Sequence, residues 1–256
     1  MKKTYSDRRK SLFFLVLFAV CLSFFNAGCG LDVIDSVLED PFYTDNVPNI
    51  ESGYENCNFR FSTVKLDNAN AFGKGYIYYK IYNNSNRKNT EVNNIESMTS
   101  DSSRKYNAAT TLINTYSYKE LHYVSSLGGS AATLSLDNDS QNIYIRLTNY
   151  ADPFIAQITV DNGAVGIPVR YNGKSFDFGR PGDYYEKPVK SSNTNNTEEN
   201  ASDYKSLDST GDENGNAYYV VLYGVFYMPT ESFEKIIYSP VHYLGEVKID
   251  AGTEYN

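Results

Sequence analysis

"GYIYYKIYN", residues 75–83, alternates strictly: Ile77, Tyr79 and Ile81 fall on one side, and Tyr76, Tyr78, Lys80 and Tyr82 on the other. A period of two puts successive side chains on opposite faces of a strand. One aliphatic face and one amphipathic face describe a half-buried strand of an antiparallel sheet. "NIYIRLTN" (142–149) repeats the device, with Ile143, Ile145 and Leu147 inward and Tyr144, Arg146 and Thr148 outward. "FIAQITVD" (154–161) puts Phe154, Ala156, Ile158 and Val160 on one side.

Working outward, six shorter stretches carry strand chemistry: 59–66, 118–124, 131–137, 167–172, 175–179 and 245–250. "AYYVVLYGVFYM" (217–228) is apolar almost throughout, as a central strand buried on both faces should be, and Gly224 is a candidate bulge. One helix is expected over 101–116, capped by Asp101 or Ser102, with Tyr106, Ala109, Ile113 and Tyr116 on a stripe. A second helical turn is expected over 230–237. Short strands separated by Gly, Asn and Asp turns imply a mainly β protein, an antiparallel β-sandwich with one short helix. "GYIYYK" resembles the tyrosine-bearing strand of fibronectin-type-III and other immunoglobulin-like sandwiches, although the Trp usual in their cores is absent.

From Pro188 to Asn216 the chain holds six acidic and two basic residues, and Leu207 is its one large aliphatic beyond Val189. Such a segment buries too little apolar area to offset its conformational entropy. It reads as a disordered insertion (188–216) within a single domain spanning 54–256.

The first thirty residues differ in kind. Lys2, Lys3, Arg8, Arg9 and Lys10 form a charged head, an apolar run follows from Leu12 to Phe25, and Ala27 and Gly28 precede Cys29. These are the three parts of a secretory signal peptide, 1–28. The apolar run falls short of the ~20 residues a helix needs to span a bilayer, so an uncleaved anchor is the weaker reading. "NAGC" resembles the lipobox of bacterial lipoproteins at Ala27, Gly28 and Cys29. It departs from that pattern at Asn26, where the family usually has Leu, and is similar to the looser spirochaete version. The resemblance implies cleavage before Cys29 and acylation of its thiol and new amino group. The chain would then be exported and held by acyl chains (palmitate among them) to an envelope membrane, the outer membrane or cell surface rather than the inner one.

Charge fits that picture. Removing residues 1–28 takes away five basic residues and one acidic one, moving the net charge from −8 to −12. Such a body gains nothing from anionic headgroups, so covalent chains would have to do the holding. Residues 29–53 read as an acidic tether. Cys57 is left without an intramolecular disulfide partner, and it alternates in phase with Phe59 and Phe61, so it is expected in the core.

Composition and motifs exclude several functions. A chain this acidic, with no basic patch interleaved with aromatics, does not bind nucleic acid. "GKS" at 173–175 lacks the earlier Gly of a P-loop, since Pro168 stands there. "DNDSQN" (137–142) begins like a calcium loop, but Asn142 replaces the Gly and Thr148 the bidentate Glu. "DENGNA" (212–217) also lacks the Gly at its sixth position. His122 and His242 stand far apart and form no zinc motif, and "LGGSA" misses the nucleophile elbow. No cofactor and no metal are expected. Tyr76, Tyr78 and Tyr82, with Lys80, form a ladder that either binds a glycan or protein partner or packs beneath a helix or second sheet. The chain therefore reads as a binding or structural envelope lipoprotein rather than an enzyme, with an extracytoplasmic hydrolase as the alternative.

Overall fold

The structure is a computed structural model, and it describes residues 40–46, 48, 53–65, 73–82, 84–150, 152–171, 178, 204–205, 217–229 and 236–250. The signal peptide, Cys29, the strand expected over 175–179 apart from Phe178, most of the insertion 188–216 and residues 230–235 of the turn expected over 230–237 lie outside the described residues, while Ile236 and Ile237 of that turn belong to a strand. The protein is mainly β, with antiparallel sheets packed as sandwich-like layers.

The elements run β1 (Phe42–Asn46), β2 (Phe59–Thr63), β3 (Lys74–Tyr82), α1 (Ser85–Thr99), β4 (Lys119–Glu120), β5 (His122–Ser125), β6 (Ala132–Thr133) and β7 (Ser135–Asp137). Then come β8 (Gln141–Arg146), β9 (Gln157–Val160), β10 (Gly163–Val169), β11 (Tyr204–Lys205), β12 (Ala217–Pro229), β13 (Ile236–Tyr238) and β14 (His242–Asp250). One sheet has the order β1-β2-β8-β9-β10-β5-β6. In the other, β12 lies between β3 and the pair β13 and β14, while β7, β4 and β11 succeed one another along the far edge of β3.

The alternation seen in the sequence becomes two cores. Ile77, Tyr79 and Ile81 join Phe59, Phe61, Ile143, Ile145, Leu147 and Ile158 between the sheets. Cys57 lies in that core as expected, and burial pushes its thiol up to about 11. On the other face of β3 and β12, Tyr78, Tyr82, Val221, Tyr223 and Val225 pack beneath Ile95, Ala108, Ala109 and Leu112 of a helical layer. The β12 strand is thus buried on both faces, which is why its sequence is apolar without alternation.

The bulge expected at Gly224 lies elsewhere. The register between β12 and β14 shifts between Leu222 and Tyr223, opposite Gly245, whose φ of 116° a side chain would strain. Gly224 is small for another reason: a Cβ there would lie 2.6 Å from the Phe42 ring. That contact also corrects the tether. Residues 42–46, read from the sequence as part of it, form an edge strand on β2, with Phe42 in the core against Phe61 and Phe226. Within the insertion, Tyr204–Lys205 pairs in parallel with Ile81 and Tyr82.

The helical layer departs furthest from expectation. The 101–116 helix begins late, because the Asp101 carboxylate accepts from the Ser103 amide and hydroxyl and from Arg104, closing a local turn. Helical turns of three kinds then run over 105–115, ending with a hydrogen bond from the Tyr116 amide to the Thr111 carbonyl. The long helix is α1, capped by the Asn84 side chain, which accepts from the Arg87 amide at 2.9 Å.

Candidate functional site

Strand register gathers one set of side chains on the helix-facing side of the second sheet. Ser135 is paired with Tyr76, and Glu120 with Tyr78. On the other flank of β3, Tyr227 stands opposite Lys74 and is itself paired with Tyr238 on β13. Partners directly across a ladder point the same way, so all of these residues share a face. The helical layer covers that face over Tyr82 and leaves it open around Tyr76. There Tyr76, Tyr78, Glu120, Thr133, Ser135, Tyr227, Ile236 and Tyr238 line a cavity of about 330 Å³.

The wall is tied together internally. The Tyr76 and Tyr227 rings stack with centroids 5.0 Å apart, and their hydroxyls hydrogen-bond at 3.0 Å. The Tyr78 hydroxyl points to Glu120 Oε1 at 3.5 Å, and Thr133 approaches Glu120 Oε2 at 3.4 Å. Burial raises the Tyr76, Tyr78 and Tyr238 hydroxyls above the ordinary range, and the charge of Glu120 raises them further. Behind Thr133 stands His122, its Nε2 3.2 Å from the Thr133 hydroxyl. Burial lowers the His122 pKa, which keeps that imidazole neutral at pH 7.

The expected ladder of Tyr76, Tyr78 and Tyr82 therefore divides. Tyr76 and Tyr78 line the cavity, whereas Tyr82 is fully buried beneath α1. Its hydroxyl hydrogen-bonds Glu91 Oε2 at 2.8 Å and the Tyr118 hydroxyl at 2.9 Å. Glu91 also accepts from Lys80 at 2.6 Å and from Arg87 at 3.2 Å, and Lys80 donates to the Tyr116 carbonyl at 2.6 Å. This buried cluster docks the helix. Nothing local in the sequence marks Tyr227, Tyr238 and Glu120, because only strand pairing brings them beside Tyr76.

A second constellation joins residues some two hundred positions apart. His242 Nδ1 lies 2.6 Å from Asp40 Oδ2, and its Nε2 lies 3.0 Å from the Thr44 hydroxyl. Asp40 Oδ1 accepts from the Phe42 amide, and the Thr44 hydroxyl reaches the Tyr243 carbonyl at 3.3 Å. The set clamps β1 onto β14, and it also places carboxylate, imidazole and hydroxyl in the order of a nucleophilic triad. Glu96 faces the pair from α1.

Among the described residues, no three His, Cys, Asp or Glu side chains are placed to hold a metal, and no helix is long and apolar enough to cross a membrane. No protein-family model matches the chain, and neither a curated protein nor a solved structure is found to be similar to it.

Proposed function

We propose that this chain is a lipid-anchored protein of a bacterial cell envelope that works by binding a small ligand. The observation that carries the binding half is the tyrosine-lined cavity, open on a sheet face whose other end is sealed by α1. Its volume lies within the range of small-molecule pockets, and aromatic walls with a few fixed polar groups are the usual lining of such sites. The anchoring half rests on the charged head, the apolar run and "AGC" ending at Cys29.

The test is direct. Intact mass of the native protein is expected to show a chain starting at Cys29 and carrying acyl groups, and Cys29→Ala is expected to leave the detergent phase. An unmodified wild-type chain would sink the anchor. The purified body is then titrated with small-molecule fractions of envelope extract while tyrosine ring signals are followed by NMR. At least one fraction is expected to shift them saturably in the wild type and not in a Tyr76→Ala, Tyr227→Ala variant.

A second reading, an extracytoplasmic hydrolase, draws on the Asp40–His242–Thr44 order. It requires covalent labelling of Thr44 by an acylating probe, abolished in His242→Ala. Labelling that survives the loss of His242 speaks against it.

A further inference from the structure

We infer that the ligand of the tyrosine-lined cavity is a small organic cation, an alkylammonium or quaternary ammonium group seated among the tyrosine rings beside Glu120. The inference rests on the binding reading above and adds the chemical class of the ligand.

Four of the eight lining residues are tyrosines, one is a carboxylate, and none is Lys or Arg. Aromatic faces carry the negative part of the ring quadrupole and attract cations, most strongly where water is excluded. Glu120 adds a full negative charge to the same wall. Among the described residues its hydrogen-bonding contacts are two long ones, from Tyr78 at 3.5 Å and Thr133 at 3.4 Å, so it has capacity for a stronger partner.

The nearby cations do not neutralise this charge. Lys119 precedes Glu120 on β4 and so points to the opposite face, where its ammonium lies over the Tyr171 ring. Lys80, two residues beyond Tyr78, is engaged by Glu91 and the Tyr116 carbonyl. Lys74 begins the strand in an exposed position and is not part of the lining. His122, behind the wall, is kept neutral by burial.

Hydrogen-bond capacity points the same way. The Tyr76 and Tyr227 hydroxyls bond each other, and those of Tyr78 and Thr133 reach Glu120. The wall thus turns several of its donors inward, which disfavours an anion that would need them. A quaternary ammonium requires no hydrogen bond at all; it asks for ring faces and a nearby negative charge. A sugar would stack on the same rings and could donate hydroxyls to Glu120, but a neutral ligand leaves the carboxylate's charge without a counter-charge, which an ammonium group supplies.

The experiment uses the purified protein and three probes: choline, its neutral tert-butyl isostere, and phosphocholine. Binding is read from tyrosine ring signals by NMR and from calorimetry. Choline is expected to bind saturably at the cavity, with the neutral isostere weaker by at least about tenfold, the loss of one close charge interaction at intermediate dielectric. Glu120→Gln is expected to remove that difference, and Tyr227→Leu, which keeps bulk but loses the ring, to weaken choline without moving the unfolding midpoint greatly. Phosphocholine binding as well as choline assigns the source to a lipid or glycan headgroup, and its rejection assigns it to a free amine. Equal binding of choline and the isostere overturns the cation while leaving a binding pocket. So does a failure of choline with continued response to an extract fraction. Silence of the ring signals toward every probe and every fraction overturns the pocket as well.

Discussion

At the scale of single residues, Glu96 shows how an electrostatic cost is hidden in this fold. Its Oε1 and the Tyr223 hydroxyl are both buried and face each other without closing a good hydrogen bond. Burial raises the Glu96 carboxyl above its ordinary 4.5, the Tyr223 hydroxyl and His242 pull it back, and Asp40 pushes it up. The folded state therefore holds the proton more tightly than the unfolded chain. The stability that follows is fully present below pH 4.5 and is lost as pH rises through the raised folded value. Glu96→Gln, neutral at every pH, is expected to raise the melting temperature at pH 7 and to leave it nearly unchanged at pH 4. Thermal unfolding at the two pH values checks this, and an equal effect at both would show that charge is not the cause. Cys57 makes the contrasting case, since its phase with Phe59 and Phe61 was enough to place it in the core.

At the scale of elements, strands could be read and α1 could not. Every period-2 stretch between residues 59 and 169 holds a strand, because its two faces meet different surroundings; β3, which the alternation reads as half-buried, has its aliphatic face against the other sheet and its tyrosine face under the helical layer. α1 buries Lys88, Glu91 and Ile95, so its inward face carries charge where an apolar stripe would be sought. What holds it is pairing: Glu91 with Lys80, Arg87 and Tyr82, and Lys88 with Glu246 and the Tyr219 ring. Apart from Arg87–Glu91, an i,i+4 pair within the helix, these partners are set by tertiary contact, and no local pattern announces them. The same limit applies to the candidate site, where Tyr76 and Tyr78 could be named in advance but Glu120, Tyr227 and Tyr238 depended on register. Removing one member of a buried ion pair leaves the other uncompensated, at a cost of ~3–5 kcal/mol, whereas replacing both with apolar side chains is often close to neutral. Glu91→Ala is therefore expected to lower stability by that amount, and Lys80→Met with Glu91→Leu to recover most of it. Urea unfolding of the two variants decides; an equal loss in both would assign the docking of α1 to packing rather than to charge.

At the scale of the whole molecule, the two sheets are joined at a corner. The chain passes from the second sheet to the first between β4 and β5, and back between β6 and β7. The residues at the two crossings are Leu121 and Leu134, both buried in the intersheet core. The Leu121 amide donates to the Ile77 carbonyl at 2.7 Å, and the Leu134 amide to the Leu121 carbonyl at 2.8 Å, so the corner is bonded through both passes. In the sequence, 118–124 and 131–137 read as uninterrupted strands, because a strand that changes sheets keeps its composition and alters only its direction. A core shared this way should make the sheets cooperative. Leu134→Ala removes a side chain that touches the junction, and a buried Leu→Ala exchange costs ~2–5 kcal/mol. Unfolding is expected to remain a single transition at a lower midpoint. Amide exchange in β2 and β8 is expected to accelerate by the same factor as in β3 and β12, since opening either sheet opens the corner. Exchange measured strand by strand separates the cases: a gain confined to β3 and β12 would mean that the sheets open independently and that the corner is only a connection between them.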